Sequence, residues 1–267
     1  MVMKGFSLIL LHNAYKCKSV FYIMLYAYLI PNWFFPVDFT FSVLNALITL
    51  AVAITALMVY RASDELAVKR FGLGFGMIAI AYIIWAADLF LLLNSIQDGI
   101  RVIILDRAQS LGFFSYYLYI IFFVCGIVTL AYSTFKINKD GVYYLLLGTS
   151  LLVVASSLYK FITLGILNFF ILSYISYHYF TRWIENKNRN TLYLCISFAL
   201  LSLSGLHYVF GASSFYSFVI CHTIEFLAYA LMFKALISSL KYYGNNKVAK
   251  LSKGELSSNY GKEKKPA

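Results

Sequence analysis

The chain has 267 residues, 61% of them hydrophobic and 19% aromatic, while only 12% are charged. A soluble globular domain carries about twice that charged fraction, so the composition excludes one and predicts a polytopic membrane protein. The net charge of +11 does not point to nucleic acid, because the lysines and arginines fall between apolar runs and in the last residues; membrane lipid is the expected partner.

Residues 1–36 hold two apolar pieces, Phe6 to Tyr15 and Val20 to Ile30, interrupted by His12, Asn13, Lys16 and Lys18 and closed by Pro31 and Pro36. Neither reaches the roughly 20 residues of a spanning helix, so an interfacial helix is the simpler expectation, with an extra crossing near Ser19 to Phe35 as the alternative. Seven clear apolar runs follow: Val37 to Tyr60, Phe71 to Leu93, Ser110 to Phe135, Val142 to Leu158, Phe161 to Phe180, Thr191 to Phe210 and Phe215 to Leu240. Each is about 17 to 26 residues long, which predicts a seven-helix, all-α integral membrane bundle over 37–242. Residues 243–267 have too little apolar content to pack and read as a disordered basic tail.

The connections set an orientation. Arg61, Lys69 and Arg70 follow the first run, Lys136 and Lys139 the third, and Arg182, Lys187 and Arg189 the fifth, whereas the opposite connections are nearly neutral. Basic residues mark the cytoplasmic side, so the start of the first helix is expected outside the cell membrane and the C-terminus inside. A weak internal repeat aligns Gly74 to Trp85 with Ser197 to Tyr208 without gaps. It would make the bundle a parallel three-plus-one-plus-three arrangement, a transporter plan. Gly72-x-x-x-Gly76 reads as a close-packing motif.

Ionisable groups inside apolar runs are the candidates for function. His222, Glu225 and Tyr229 are spaced three and four apart, which puts them on one face of the seventh helix. Asp88 and His207 lie near the same end of the bundle, so these five residues form the candidate ligand or proton site. Two imidazoles and two carboxylates suit proton relay or a first-row metal; no fixed ligand spacing identifies a metal, and the four cysteines, Cys17, Cys125, Cys195 and Cys221, show no paired spacing either. The plainer alternative is that each polar group is satisfied separately by a neighbouring Ser, Tyr or carbonyl. Lys234 stands about half a turn round from Glu225 and is expected to extend towards the inner surface.

At the level of architecture, seven crossings resemble microbial rhodopsins, three-plus-one-plus-three exporters, and the seven-helix sensor modules that precede histidine kinases. The local likeness is to the sensor modules: a basic connection, then Phe71 to Phe90 with Trp85 and, a turn later, Asp88. Lys234 lacks the surroundings of a retinal lysine, since Ala230 stands where that family has an Asp. The resemblance to sensor modules implies a receptor-like protein with an outward-facing small-molecule site and a separate cytoplasmic signalling partner. Transport of a small solute or proton-coupled ion is the alternative, and a membrane-embedded metal-dependent hydrolase the next; the cofactor is not specified by the sequence.

Overall fold

The computed structural model describes residues 34–97, 104–135, 140–211 and 215–262. The N-terminal interfacial segment or extra helix expected at 1–36 lies almost wholly outside them. Among the described residues there are seven helices and no strand: α1 Phe34–Ser63, α2 Leu66–Gln97, α3 Ile104–Phe135, α4 Asp140–Ser156, α5 Lys160–Asn186, α6 Arg189–Gly211 and α7 Phe215–Lys262. Contacts divide the chain into Met1–Val37 and Asp38–Ala267. The bundle belongs to the second unit.

Six of the helices are long and apolar enough to cross a membrane, and α4 is a shorter apolar helix. Large apolar side chains face outward all round: Leu47 and Met58 on α1, Ile83 on α2, Leu152 on α4, Phe170 on α5, Leu203 on α6 and Leu227 on α7 are all exposed. Water would penalise that surface and lipid does not, so the chain is a multi-pass membrane protein. Although α4 has only 17 residues, it carries the chain between the two ends of the bundle. Tyr143 near its start packs on Tyr132 near the end of α3, with ring centroids 5.2 Å apart. Beyond its end, Phe161 packs on Tyr116 near the start of the α3 span and on Trp85 of α2. The break between α4 and α5 falls at 157–159, where the Ser157 and Thr163 hydroxyls lie 2.6 Å apart and the Lys160 ammonium donates to the Ser157 carbonyl.

Small residues bring neighbouring backbones together. A Cβ on Gly126 would lie 2.8 Å from the Gly74 carbonyl oxygen and 2.6 Å from Ile78 Cγ1, so α2 and α3 cross at that pair. Of the expected Gly72/Gly76 motif only Gly72 is used, against Ala53 and Leu57 of α1; a Cβ on Gly76 would meet nothing within 4 Å. Gly205 of α6 sits on Gly165 and Asn168 of α5 in the same manner. Turns close on left-handed residues, Asp64 (φ 56°) after α1 and Lys187 (φ 49°) after α5, whose N–H groups donate to Tyr60 and Trp183 carbonyls.

The residues from 243 onward, expected to be an unpacked tail, continue α7 to Lys262. No proline falls between Phe215 and Lys262, and a helix already running needs no fresh nucleation, so a stretch rich in lysine with glutamate and leucine can extend it.

Candidate functional site

The site begins on α1 with a polar stripe in an otherwise apolar helix. Asp38, Ser42, Asn45 and Thr49 recur four, three and four residues apart, which places them on one face, and all four are buried. The Ser42 hydroxyl donates to Asp38 Oδ1 at 3.4 Å, and Thr49 donates to the Asn45 carbonyl at 2.6 Å. Trp85 of α2 also bonds the Asp38 carboxyl.

On α7 the expected face is present: His222, Glu225 and Tyr229 all point inward and are at most 5% exposed. Three groups from three helices meet one oxygen of Glu225. Oε2 is 2.9 Å from His222 Nδ1, accepts from the Tyr82 hydroxyl of α2 at 3.1 Å, and accepts from Asn45 Nδ2 of α1 at 3.4 Å; His222 comes from α7 itself. Oε1 accepts from the Ser204 hydroxyl of α6 at 2.9 Å. Four helices therefore converge on a single carboxylate. Tyr82 in turn lies 3.4 Å from the Tyr229 hydroxyl, and the Cys221 thiol donates to the Ser204 carbonyl at 3.8 Å.

The His222 ring has a carboxyl on each side. Its Nδ1 faces Glu225 and its Nε2 lies 3.6 Å from Asp38 Oδ1. Phe41 stacks on the ring and Phe218 meets it edge to face, which fixes its plane. Asn45 Nδ2 is 3.4 Å from His222 Nδ1 as well, while Asn45 Oδ1 is buried with no hydrogen-bond partner. At 1.5 Å per residue, Asp38 is about 6 Å along α1 from Phe34, and Glu225 and Tyr82 are each about 14 Å from the span ends at Tyr216 and Leu91. The chain of polar groups thus descends from one end of the bundle to about half the thickness of a bilayer core. It stops there. Phe75 meets the Tyr229 ring edge to face, and Val52, Phe198 and Met232 are wholly buried around the next turn.

Of the five residues expected in the site, His222, Glu225 and Tyr229 come together. The other two have separate partners: the Asp88 carboxyl bonds Ser115 of α3, and His207 Nε2 lies 2.7 Å from the Ser217 hydroxyl of α7. Each is satisfied by a neighbouring serine. Lys234 is exposed and its ammonium sits 4.9 Å over the Tyr193 ring. Asp38, Asn45, Tyr82 and Ser204 belong to the centre and were missed. The spacing of Asp38, Ser42, Asn45 and Thr49 was a readable signal; Tyr82 and Ser204 sit among aromatic and serine residues that nothing in the pattern separates. Among the described residues, no group of three or more His, Cys, Asp or Glu side chains is arranged to hold a metal ion.

Comparison of the chain with family models, with curated proteins and with solved structures gives no match.

Proposed function

We propose that this membrane protein is a receptor-like sensor and that the Glu225 centre is where it receives its signal. The observation that carries the reading is the convergence of α1, α2, α6 and α7 on one buried carboxylate. A carboxylate at that depth is expensive unless its donors hold it, and a stimulus that alters it alters four helices at once. Cytoplasmic orientation of the basic connections would place the centre in the outer half, with the Lys187 turn and the far part of α7 on the side of a signalling partner. Arg70 over Tyr132 and Lys187 over Trp183 support that arrangement, since basic and aromatic side chains paired at one end suit a membrane interface.

A second reading, a small-solute or proton-coupled transporter, is favoured by one observation. Tyr82 and Ser204, which both bond Glu225, lie one residue apart in the register that aligns Gly74 to Trp85 with Ser197 to Tyr208. A site at the junction of two repeats is where such transporters bind their cargo. Proteoliposomes holding a pH-sensitive dye separate the two. The sensor predicts no solute-driven pH change, and a Glu225→Gln variant with altered hydrogen exchange at the Lys187–Asn188 turn. Solute-driven flux abolished by Glu225→Gln would replace the sensor with the transporter; absence of both effects would sink both readings.

A further inference from the structure

Resting on the reading of Glu225 as the receiving group, we propose that the ligand of this centre is a proton, passed to Glu225 through Asp38 and His222, and that Asn45 converts its arrival into a change in α1. The path is set by the imidazole. With Asp38 protonated, its O–H gives a proton to His222 Nε2 while His222 Nδ1–H gives one to Glu225 Oε2. One O–H and one N–H bond break, one N–H and one O–H form, and the ring changes tautomer. The negative charge moves from Glu225 to Asp38, which stands nearest the end of the bundle and is reloaded from there. Beyond Tyr229 the apolar layer of Val52, Phe75, Phe198 and Met232 offers no further acceptor, so the proton leaves by the way it came. It is bound as a signal and does not cross.

The hydrogen bonds at Oε2 explain the part played by Asn45. His222 Nδ1, the Tyr82 hydroxyl and Asn45 Nδ2 all meet that oxygen, a set that suits an ionised carboxylate. A protonated Oε2 is itself a donor, and the amide then presents the wrong end to it. Asparagine carries both a donor and an acceptor on one planar group, and its Oδ1 is buried and unpartnered in the ionised arrangement. Turning the amide by half a revolution places Oδ1 on the Glu225 O–H. That rotation occurs on α1, directly above Thr49. The titratable groups facing Glu225 and His222 are Asp38 from α1, Tyr82 from α2, Tyr119 from α3, and Cys221 and Tyr229 from α7; from α6 the facing group is the Ser204 hydroxyl.

The test is infrared difference spectroscopy with hydrogen exchange on the full chain in lipid nanodiscs across a pH series. The wild type is expected to show a protonated-carboxyl C=O band that appears on acidification and is lost in Glu225→Gln, with exchange in α1 changing at the same midpoint. Asn45→Leu is expected to keep the band and lose the α1 response, and Asp38→Asn to slow the appearance of the band after a pH jump. A wild type without a Glu225-dependent band overturns the proposal, whether or not any variant folds. So does an Asn45→Leu protein whose α1 still follows the band. If the band titrates but the Lys187–Asn188 turn is unmoved, the proton site stands and the sensor reading fails. If Glu225→Gln moves that turn but no band titrates, the sensor reading stands and the proton is not its ligand.

Discussion

Replacing Glu225 with alanine removes the acceptor that four side chains share, and the loss can be worked through bond by bond. An unsatisfied buried polar group costs about 1–3 kcal/mol. Two of the four donors have a ready repair: Tyr82 keeps the Tyr229 hydroxyl, and Ser204 can turn to the carbonyl one helical turn back, as Ser197 does on Tyr193. His222 Nδ1 and Asn45 Nδ2 are left facing each other at 3.4 Å, two nitrogens at the limit of hydrogen-bond distance, beside a small cavity. Relief from burying a charge offsets part of this. The balance is a destabilisation of about 2–4 kcal/mol for Glu225→Ala, whereas Glu225→Gln keeps the shape and an acceptor for Ser204 and should lose no more than about 1 kcal/mol. Reversible unfolding in mixed micelles, followed by circular dichroism, measures both. A cycle with Ser204→Ala should give a coupling of about 0.5–1.5 kcal/mol, in the range of membrane hydrogen bonds. Equal stabilities for the alanine and glutamine variants, with no coupling to Ser204, would refute the shared-acceptor account.

The close crossing of α2 and α3 makes Gly126→Ala destabilising by about 1–3 kcal/mol, because the new Cβ meets the Gly74 backbone oxygen, which no rotamer change can move. Gly76→Ala, with open space around it, should be neutral or slightly stabilising in the same unfolding assay. Asp88→Asn and His207→Ala should leave the hydrogen-exchange pattern around Glu225 as in the wild type, since each contacts its own serine; an altered pattern would bring them back into the centre. A cysteine placed at Asn188 should react with an impermeant maleimide from the cytoplasmic face only. Labelling from outside would invert the orientation read from the basic connections.

The apolar spans of the helices were legible because apolar run length is a strong signal, and six of the described helices satisfy it; the continuation of α7 to Lys262 was not, because it carries no apolar run. The α4–α5 break was legible to within two residues from Tyr159 and Lys160 alone. Half the site was legible on α7, where three polar groups share a face within one apolar run. Asp88 and His207 were added by depth alone, and depth does not fix rotation: each turns towards a serine on a neighbouring helix. Asp38 escaped notice because an acidic residue near a helix start reads as an interfacial group, and Asn45 because it carries no charge. Helix rotation is set by packing, here by Gly72 against α1 and Gly74 against Gly126, and packing partners cannot be read from one run at a time.

The interior of the bundle changes character at one level, and the helices reach that level from opposite directions. Along α1 the buried stripe is polar from Asp38 to Thr49 and apolar from Val52 to Val59 except for Thr55, whose hydroxyl bonds the Ala51 carbonyl of its own helix; along α7 it passes from His222 and Glu225 to Met232 and Leu236. On α2, which runs the other way, Phe71 and Phe75 come before Tyr82; on α6 Phe198 and Leu201 come before Ser204, and the buried Ser197 and Ser202 hydroxyls bond the Tyr193 and Phe169 carbonyls instead of Glu225. A path for protons or solute through the bundle would need linked polar groups on both sides of that level; on the far side the buried Thr55, Ser133, Thr134 and Ser197 hydroxyls each bond a carbonyl of their own helix, among rings packed edge to face and stacked, Phe71, Phe75, Phe198 and Tyr179. A linked set of polar groups on one side alone suits a group that is loaded and unloaded from the same face. If the sensor proposal holds, the tightly packed half is the part that would carry a change at Glu225 towards the basic end, because close-packed side chains transmit strain instead of absorbing it.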